Sequence, residues 1–136
     1  MAFGLTDRGE RGVLKEYFGT TSLTMTIYND STDTLSDTDN TGDITTEPEG
    51  STYTRSSIDS SDITVSTVNG DAELSVAAKA FDVSDSTQNV DAYAFIDANG
   101  DLVHRGPIDT SDRETDYINL DQNDDVLLGG EPIVLG

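Results

Sequence analysis

The residues of this chain that could carry out chemistry are one histidine and many carboxylates and hydroxyls. The sequence contains no cysteine, so thiolate chemistry is excluded. Nucleophilic catalysis needs a base held beside the nucleophile, and His104 is the one histidine that could act as this base. The glycine-flanked serine motif that places the nucleophile in many hydrolases does not occur. A lone histidine in a strand-forming segment is more often a packed or surface residue. We therefore expect no catalytic residue and no enzyme activity.

Calcium is the one cofactor that the spacing of oxygen-bearing side chains brings into question. Asp37, Asp39 and Thr41 alternate along the chain before Gly42, as the ligands of a calcium-binding loop do. The position at which such a loop needs its glutamate is Pro48, and aspartate is frequent enough here for such triplets to arise by chance. We expect loosely bound solvent cations and no specific calcium ion, so Asp37, Asp39 and Thr41 are only weak candidate ligands.

Tyr53 and Arg55 form a pair that could recognise a partner. Two positions apart in a strand-like segment, residues 51–58, they would lie on one face of the strand. Arg55 could then make a bidentate bond to a carboxylate while Tyr53 packs against the sheet. The pair could belong to an interface with another protein, or it could brace the fold beneath the long acidic segment that precedes it.

Net charge limits the partners of the chain. It carries 27 acidic residues against 7 lysines and arginines, a formal net charge of −20. Binding to nucleic acid, or to an anionic membrane surface, requires a basic face that these scattered cations cannot form. No apolar run approaches the roughly 20 residues of a membrane span, and the first residues lack the apolar segment of a secretory signal. We expect neither a nucleic-acid nor a membrane partner.

The balance of charges also indicates the solvent. Aspartate is in large excess and lysine is nearly absent, which is typical of a protein from a high-salt cytoplasm. There, screening over about 3 Å at 1 M salt weakens the self-repulsion of an acidic chain. The apolar residues fall into short alternating runs separated by turn signals. This pattern favours an all-β domain over a disordered acidic segment.

The N-terminal residues 1–19 predict a helix that could act as an arm. Thr6 or Asp7 can cap a helix that runs to Phe18, with Leu14, Tyr17 and Phe18 on one side of it. This helix could pack across one end of the sheet, or it could dock against a neighbouring subunit.

Residues 20–136 predict one antiparallel β-sandwich or jelly roll of about eight strands, with a long exposed acidic loop at residues 30–49. The first strand, SLTMTIYN, alternates as a half-buried strand does. Asn69-Gly70 predicts a hairpin turn, and the turn before Leu102 predicts another. The C-terminal strand, with Ile133 and Leu135, could serve for docking. The further strand candidates are residues 51–58, 62–68, 72–81, 90–96, 102–105, 117–120, 125–128 and 132–135.

Four segments in this order carry a resemblance to a known family. They are SLTMTIYN, EPEGSTYTR at residues 47–55, AYAFIDANGDLVHRGPID at residues 92–109, and the closing DQNDDVLLGGEPIVLG. The order resembles that of small β-sandwich structural proteins of tailed viruses, which decorate capsids or form head or tail fibres. The tryptophan that many members carry before the AYAFI-like strand is missing here, since the chain has none.

The resemblance implies a virion structural protein without catalysis, assembled as a homo-oligomer, most often a trimer. With the composition it implies capsid decoration in a tailed virus of a halophilic archaeon, in contact with the major capsid protein or other virion proteins. The expected location is the virion, after assembly in a high-salt cytoplasm. One alternative is a tail, baseplate or fibre component that faces the host surface. Another is a free acidic regulator that mimics nucleic acid.

Overall fold

The computed structural model describes residues 6–20, 22–36, 38–108, 110, 115–120, 125–128 and 133–135. These residues form mostly antiparallel strands with few short helices, so the expected mainly-β class is confirmed. Besides single 3-10 turns at Thr41–Asp43 and Ser60–Asp62, the α-helices and strands in chain order are α1 (Asp7–Thr20), β1 (Leu23–Tyr28), α2 (Asp30–Asp33), β2 (Ser56–Ile58), β3 (Ile63–Val68), β4 (Asp71–Val76), β5 (Lys79–Asp82), β6 (Ala92–Asp97), β7 (Leu102–Pro107), β8 (Asp125–Leu128) and β9 (Ile133–Leu135).

The strands form two antiparallel sheets and a two-stranded ribbon. The first sheet has the order β2-β1-β6-β7, the second has the order β3-β4-β9, and β5 pairs with β8. Asn69 and Gly70 join β3 to β4 with φ angles of 52° and 85°, which a two-residue hairpin turn requires and which Asn and Gly adopt most readily. The turn before Leu102 likewise joins β6 to β7. Both hairpins predicted from the sequence are confirmed.

One hydrophobic core takes side chains from both sheets. β1 and β6 contribute one face of the first sheet, and β4 contributes the alternating apolar residues of the second. Its buried residues are Phe18, Leu23, Met25, Ile27, Ile58, Ala72, Leu74, Val76, Phe81, Val83, Val90, Tyr93, Phe95, Ile108, Ile118 and Leu120.

A second, smaller cluster lies on the other face of the first sheet and overturns two expectations. Leu35 is only 6% exposed and, with Ile44 beside it, packs against Tyr28 and Ala94. Residues 30–49 are therefore a cover over the sheet, and not simply an exposed loop. For the same reason β1 is not half-buried as its alternation predicts, because Thr26 and Tyr28 on the covered face are fully buried.

Three strand predictions depart from the structure by more than two residues. The strand predicted at residues 51–58 begins only at Ser56. The strand predicted at residues 72–81 divides into β4 and β5, which belong to different sheets, and Ala78 lies exposed between them. In residues 117–120, Ile118 forms an isolated bridge with Val90 and no strand.

α1 lies across β3 and β4 of its own chain. It begins at Asp7 as predicted and extends two residues beyond Phe18. Phe18 is buried in the main core, and the Arg11 guanidinium donates a hydrogen bond to the Thr67 hydroxyl of β3. This arrangement resembles the helix packed across a sheet. Docking of residues 1–19 to a neighbouring subunit stays a prediction. Among the described residues, no helix combines the length and apolar character that crossing a membrane requires.

Candidate functional site

Thr26, Glu47, Tyr53 and Arg55 form one hydrogen-bonded group beside β1, which we call the Glu47 cluster. Arg55 Nε donates to Glu47 Oε1 (2.8 Å), and Arg55 Nη2 donates to Glu47 Oε2 (3.2 Å). The Thr26 hydroxyl donates to Glu47 Oε1 and lies 2.6 Å from the Tyr53 hydroxyl. The cluster thereby joins residues 47–55 to a fully buried position of β1.

Tyr53 takes a place beside β1 where β2 has ended. β2 pairs with β1 as far as Met25, and beyond that point the Tyr53 hydroxyl accepts a hydrogen bond from the Ile27 N–H (3.4 Å). The Tyr53 ring stacks on Phe81, with ring centroids 6.0 Å apart and planes at 22°. A tyrosine suits this position because its ring packs in the core while its hydroxyl serves the backbone.

The protonation states of Tyr53 and Arg55 follow from burial and from hydrogen bonding. Burial raises the pKa of Tyr53 to about 12, and the negative charge of Glu47 adds to this effect. The hydrogen bonds to Glu47 raise the pKa of Arg55 further above its already high value. Tyr53 is therefore neutral and Arg55 charged at neutral pH, and neither group is poised for general acid–base catalysis. These hydrogen bonds attach residues 47–55 to β1.

The structure brings together the two residues that the sequence singled out. Arg55 makes a bidentate bond to a carboxylate of the acidic segment, and Tyr53 packs against the main core. They do so from an irregular segment and not from one strand. The carboxylate, Glu47, was not identified in advance, although it stands first in the segment EPEGSTYTR. Arg55 keeps 36% of its side chain exposed, and its part in an interface stays a prediction.

Asp85 organises the turn just before Tyr53. Its carboxylate accepts hydrogen bonds from the backbone N–H and the hydroxyl of both Ser51 and Thr52. These bonds, the Thr52 hydroxyl first, hold the pKa of Asp85 well below its usual range. Gly50 has a φ of 106°, and a Cβ atom there would lie 2.6 Å from Asp85 Cγ. Glycine is needed at this position on both counts.

Glu49 and Asp33 fasten the acidic segment in the same way. Glu49 accepts from the N–H and hydroxyl of Thr87 and from the Gln88 N–H, and the Thr87 hydroxyl is the largest cause of its lowered pKa. Asp33 accepts from the N–H and hydroxyl groups of Thr45 and Thr46. Burial opposes ionisation of Asp33, but these bonds together lower its pKa. The sequence analysis did not identify either carboxylate, because neither its residue type nor its spacing distinguishes it from the other acidic residues of the chain.

The predicted interface residues outside the Glu47 cluster lie elsewhere in the fold. Tyr17 is 42% exposed on α1, whereas Phe18 is buried in the main core, and the part of either residue in an interface stays a prediction. Leu14 lies in α1, with its side chain outside the described part of the molecule. Ile133 and Leu135 belong to β9, which pairs with β4 of the same chain; their side chains are likewise outside that part.

The weak calcium candidates are engaged in other bonds or lie outside the description. Asp39 accepts a hydrogen bond from the Ser36 N–H (2.7 Å), and the Thr41 hydroxyl donates to the Gly100 carbonyl. Asp37 is outside the described residues. No group of three or more histidine, aspartate or glutamate side chains suited to a metal ion occurs within the described ranges.

His104 lies in β7 among aromatic side chains. Its Nε2 atom is 3.0 Å from the Tyr93 hydroxyl, and its ring centroid is 5.4 Å from that of Phe95. Burial lowers the pKa of His104, and the nearby charge of Arg105 adds to this effect. A neutral imidazole bonded to a phenol fits the expectation of a packed histidine.

An open cleft of about 510 Å³ lies between the start of α2 and the end of β7. The Asp91 carboxylate on its wall accepts hydrogen bonds from the N–H groups of Asp30 and Ser31. The Tyr28 hydroxyl donates to Asp30 (3.1 Å). These polar groups hold α2 in place, as the Glu47 cluster holds the segment after it.

Comparison with family models, with curated proteins and with solved structures finds no match to this chain.

Proposed function

We propose that this chain is a non-enzymatic structural protein of a virus particle. It decorates and stabilises the capsid surface of a tailed virus of a halophilic archaeon, in contact with the major capsid protein. Several copies assemble together, with a trimer favoured. The two sheets around a common core are then the β-sandwich or jelly roll of about eight strands that such a protein would have. Its place is the virion, after assembly in a high-salt cytoplasm.

The observation that carries the proposal is the Glu47 cluster. Three residues of the segment EPEGSTYTR, which supports the resemblance to virion proteins, converge on buried Thr26 and tie an acidic surface segment to the sheet. Their hydrogen-bonding groups serve this attachment and are not aimed at a reacting ligand. A fold with a hydrogen-bonded acidic cover suits a protein that works by its outer surface.

Quantitative mass spectrometry of purified virus particles tests the proposal. We expect copies of this chain to number in the hundreds per particle, in a simple ratio to the major capsid protein. Only a few copies would overturn capsid decoration and place the chain at a tail, baseplate or fibre. Absence from particles would overturn the virion function and would favour a free acidic regulator.

A salt titration tests the high-salt setting separately. With a net charge of −20, self-repulsion grows as screening is removed. We expect the β-sheet signal in circular dichroism to weaken when about 3 M KCl is replaced by water, because the Debye length rises from a few ångströms to tens of ångströms. An unchanged spectrum would contradict adaptation to high salt.

A further inference from the structure

The edges of the two sheets differ in their protection against pairing with other chains. β7 carries a bulge opposite the step from Phe95 to Ile96 and ends at Pro107. β2 and β9 are only three residues long. Bulges, prolines and short strands are devices by which natural sheets prevent edge-to-edge pairing. β3, at the edge of the second sheet, has none of them.

β3 is a regular, uncharged and largely exposed edge strand. Its six residues, ITVSTV, pair with β4 without interruption and include no proline, acid or base. Val68, at its end, is 41% exposed. Asp62, which precedes β3, is paired with Lys79 at 2.8 Å, so its charge is balanced. In a chain of net charge −20, a strand that approaches this edge meets little repulsion from the edge itself.

The hydrogen-bond pattern identifies the backbone groups that face the open edge. The Ala77 N–H donates to the Asp62 carbonyl (2.8 Å), which makes these two a hydrogen-bonded pair of the ladder. Such pairs alternate with non-hydrogen-bonded pairs, so every second residue of β3 directs its N–H and C=O away from β4. These residues are Ile63, Val65 and Thr67. Among the described strands, none lies on their open side.

We propose that two copies of this chain pair through β3, antiparallel, about a two-fold axis at Val65. Val65 of one copy then lies opposite Val65 of the other, and Ile63 lies opposite Thr67. Each of these three residues donates one inter-chain hydrogen bond and accepts one. An axis normal to the sheet keeps the inner faces of both copies on the same side, and the contact closes after two copies.

A second copy is the partner because its own β3 matches the edge in length and in lack of charge. Any acidic strand would place carboxylates beside an already acidic chain. The pairing does not depend on the proposed function, and its test is independent of any virus particle. It also differs from a trimer contact, which would need another surface.

Cysteine cross-linking tests the register, and the chain has no cysteine of its own to interfere. In the proposed pairing, Thr64 of one copy lies opposite Ser66 of the other, with Cβ atoms about 4.5–5.5 Å apart. An equal mixture of Thr64→Cys and Ser66→Cys chains, oxidised in high salt, should give a disulfide-linked dimer. Either variant alone places its cysteines on a diagonal, about 7–8 Å apart, and should cross-link at least several-fold less.

Two outcomes of this experiment would overturn the proposal. One is no disulfide-linked dimer in the mixture. The other is equal cross-linking in the mixture and in each variant alone, since collision between chains gives the same yield for any exposed cysteine.

Sedimentation and amide exchange of the unmodified chain give a second test. At high salt and submillimolar concentration we expect a dimer, or an assembly built from such dimers where the trimer contact also forms, with slow exchange of the Val65 and Thr67 amides. Dilution to monomer should speed their exchange at least tenfold and leave Ser66, which bonds to β4, unchanged. A monomer at every concentration would overturn the proposal. Slow Val65 and Thr67 exchange in the monomer would also overturn it, because the edge would then be covered by the chain itself.

Discussion

Residues 30–55 and β3 both lie at the border of a sheet, but they differ in what their backbone N–H groups bond to. In residues 30–55, carboxylates such as Asp33 accept hydrogen bonds from the N–H groups of an irregular chain. β3 contains no carboxylate, and one row of its N–H groups faces the open edge. The acidity of this protein is therefore more than a surface property. In residues 30–55, where no sheet ladder reaches most of the backbone, aspartate and glutamate accept from its N–H groups.

The largest difference in stability between the two regions should follow from truncating Leu35, the buried apolar residue of the cover. Leu35→Ala should lower the free energy of unfolding by about 3 kcal/mol, since it empties a buried site between residues 30–49 and the first sheet. Val68→Ala, on the exposed end of β3, is the matched control and should cost at most about 0.5 kcal/mol. Denaturant titration in high salt measures both. Equal costs would show that the cover does not stabilise the fold.

Removing the carboxylate of the Glu47 cluster should have the next largest effect. Glu47→Ala leaves the Thr26 hydroxyl without this acceptor and leaves Arg55 without its ion pair. We expect a loss of about 2 kcal/mol, discounted for the part of the pair that is open to water. Glu73→Ala on β4 serves as the control for loss of a negative charge. A stability of E47A no lower than that of E73A would contradict the bracing role.

Alanine substitutions at two glycines with positive φ distinguish backbone strain from steric crowding of the new side chain. Gly50→Ala and Gly70→Ala both place a side chain at a positive φ, which is 106° at Gly50 and 85° at Gly70. A Cβ atom at Gly70 meets nothing within 4 Å, whereas one at Gly50 meets the Asp85 carboxylate. G50A should therefore cost about 1 kcal/mol more than G70A in thermal or denaturant unfolding. If G70A costs as much, the Asp85 turn is loose enough to move aside.

Acid should loosen the fastened segment before the hairpin of β3 and β4. The pKa values of Asp33, Glu49 and Asp85 are lowered by hydrogen bonds to their charged forms. Their contribution to stability is complete above the unfolded values near 4 and is lost as pH falls through the lower folded values. The protection of the Ser51 and Thr87 amides, relative to unfolded chain at the same pH, should fall in this range ahead of that of Ser66. A simultaneous fall would contradict the separate fastening of the two regions.

The sequence predicted the regular parts of this fold better than the irregular ones. Asn69-Gly70 has one favoured conformation, and the alternation in ITVSTV fits only a strand, so both were predictable from local chemistry. The cover over β1 was not, because Leu35 and Ile44 are too far apart to show a period. Their burial depends on which face of β1 and β6 remains open after the main core has formed.

The Glu47 cluster was predictable in part. Arg55 and Tyr53 stand close enough in the sequence to suggest a shared carboxylate and a packed ring. With 27 acidic residues, the identity of that carboxylate could not be chosen from spacing. Asp85 was beyond sequence reasoning for the same reason, since its partners at residues 51–52 are brought to it only by the fold.

The pairing of β1 with β6 has a consequence for how the chain is made. Leu23 lies opposite Asp97, so β1, one of the two central strands of the first sheet, pairs with a strand more than half the chain away. At ribosomal rates of about 5–20 residues per second, β6 follows β1 by roughly 4–15 s. β1 is buried on both faces in the folded protein. During that interval it has no β6 to pair with in the nascent chain. Unpaired strand edges make incomplete chains prone to association, so the late synthesis of β6 makes β1 a point at which nascent copies can pair.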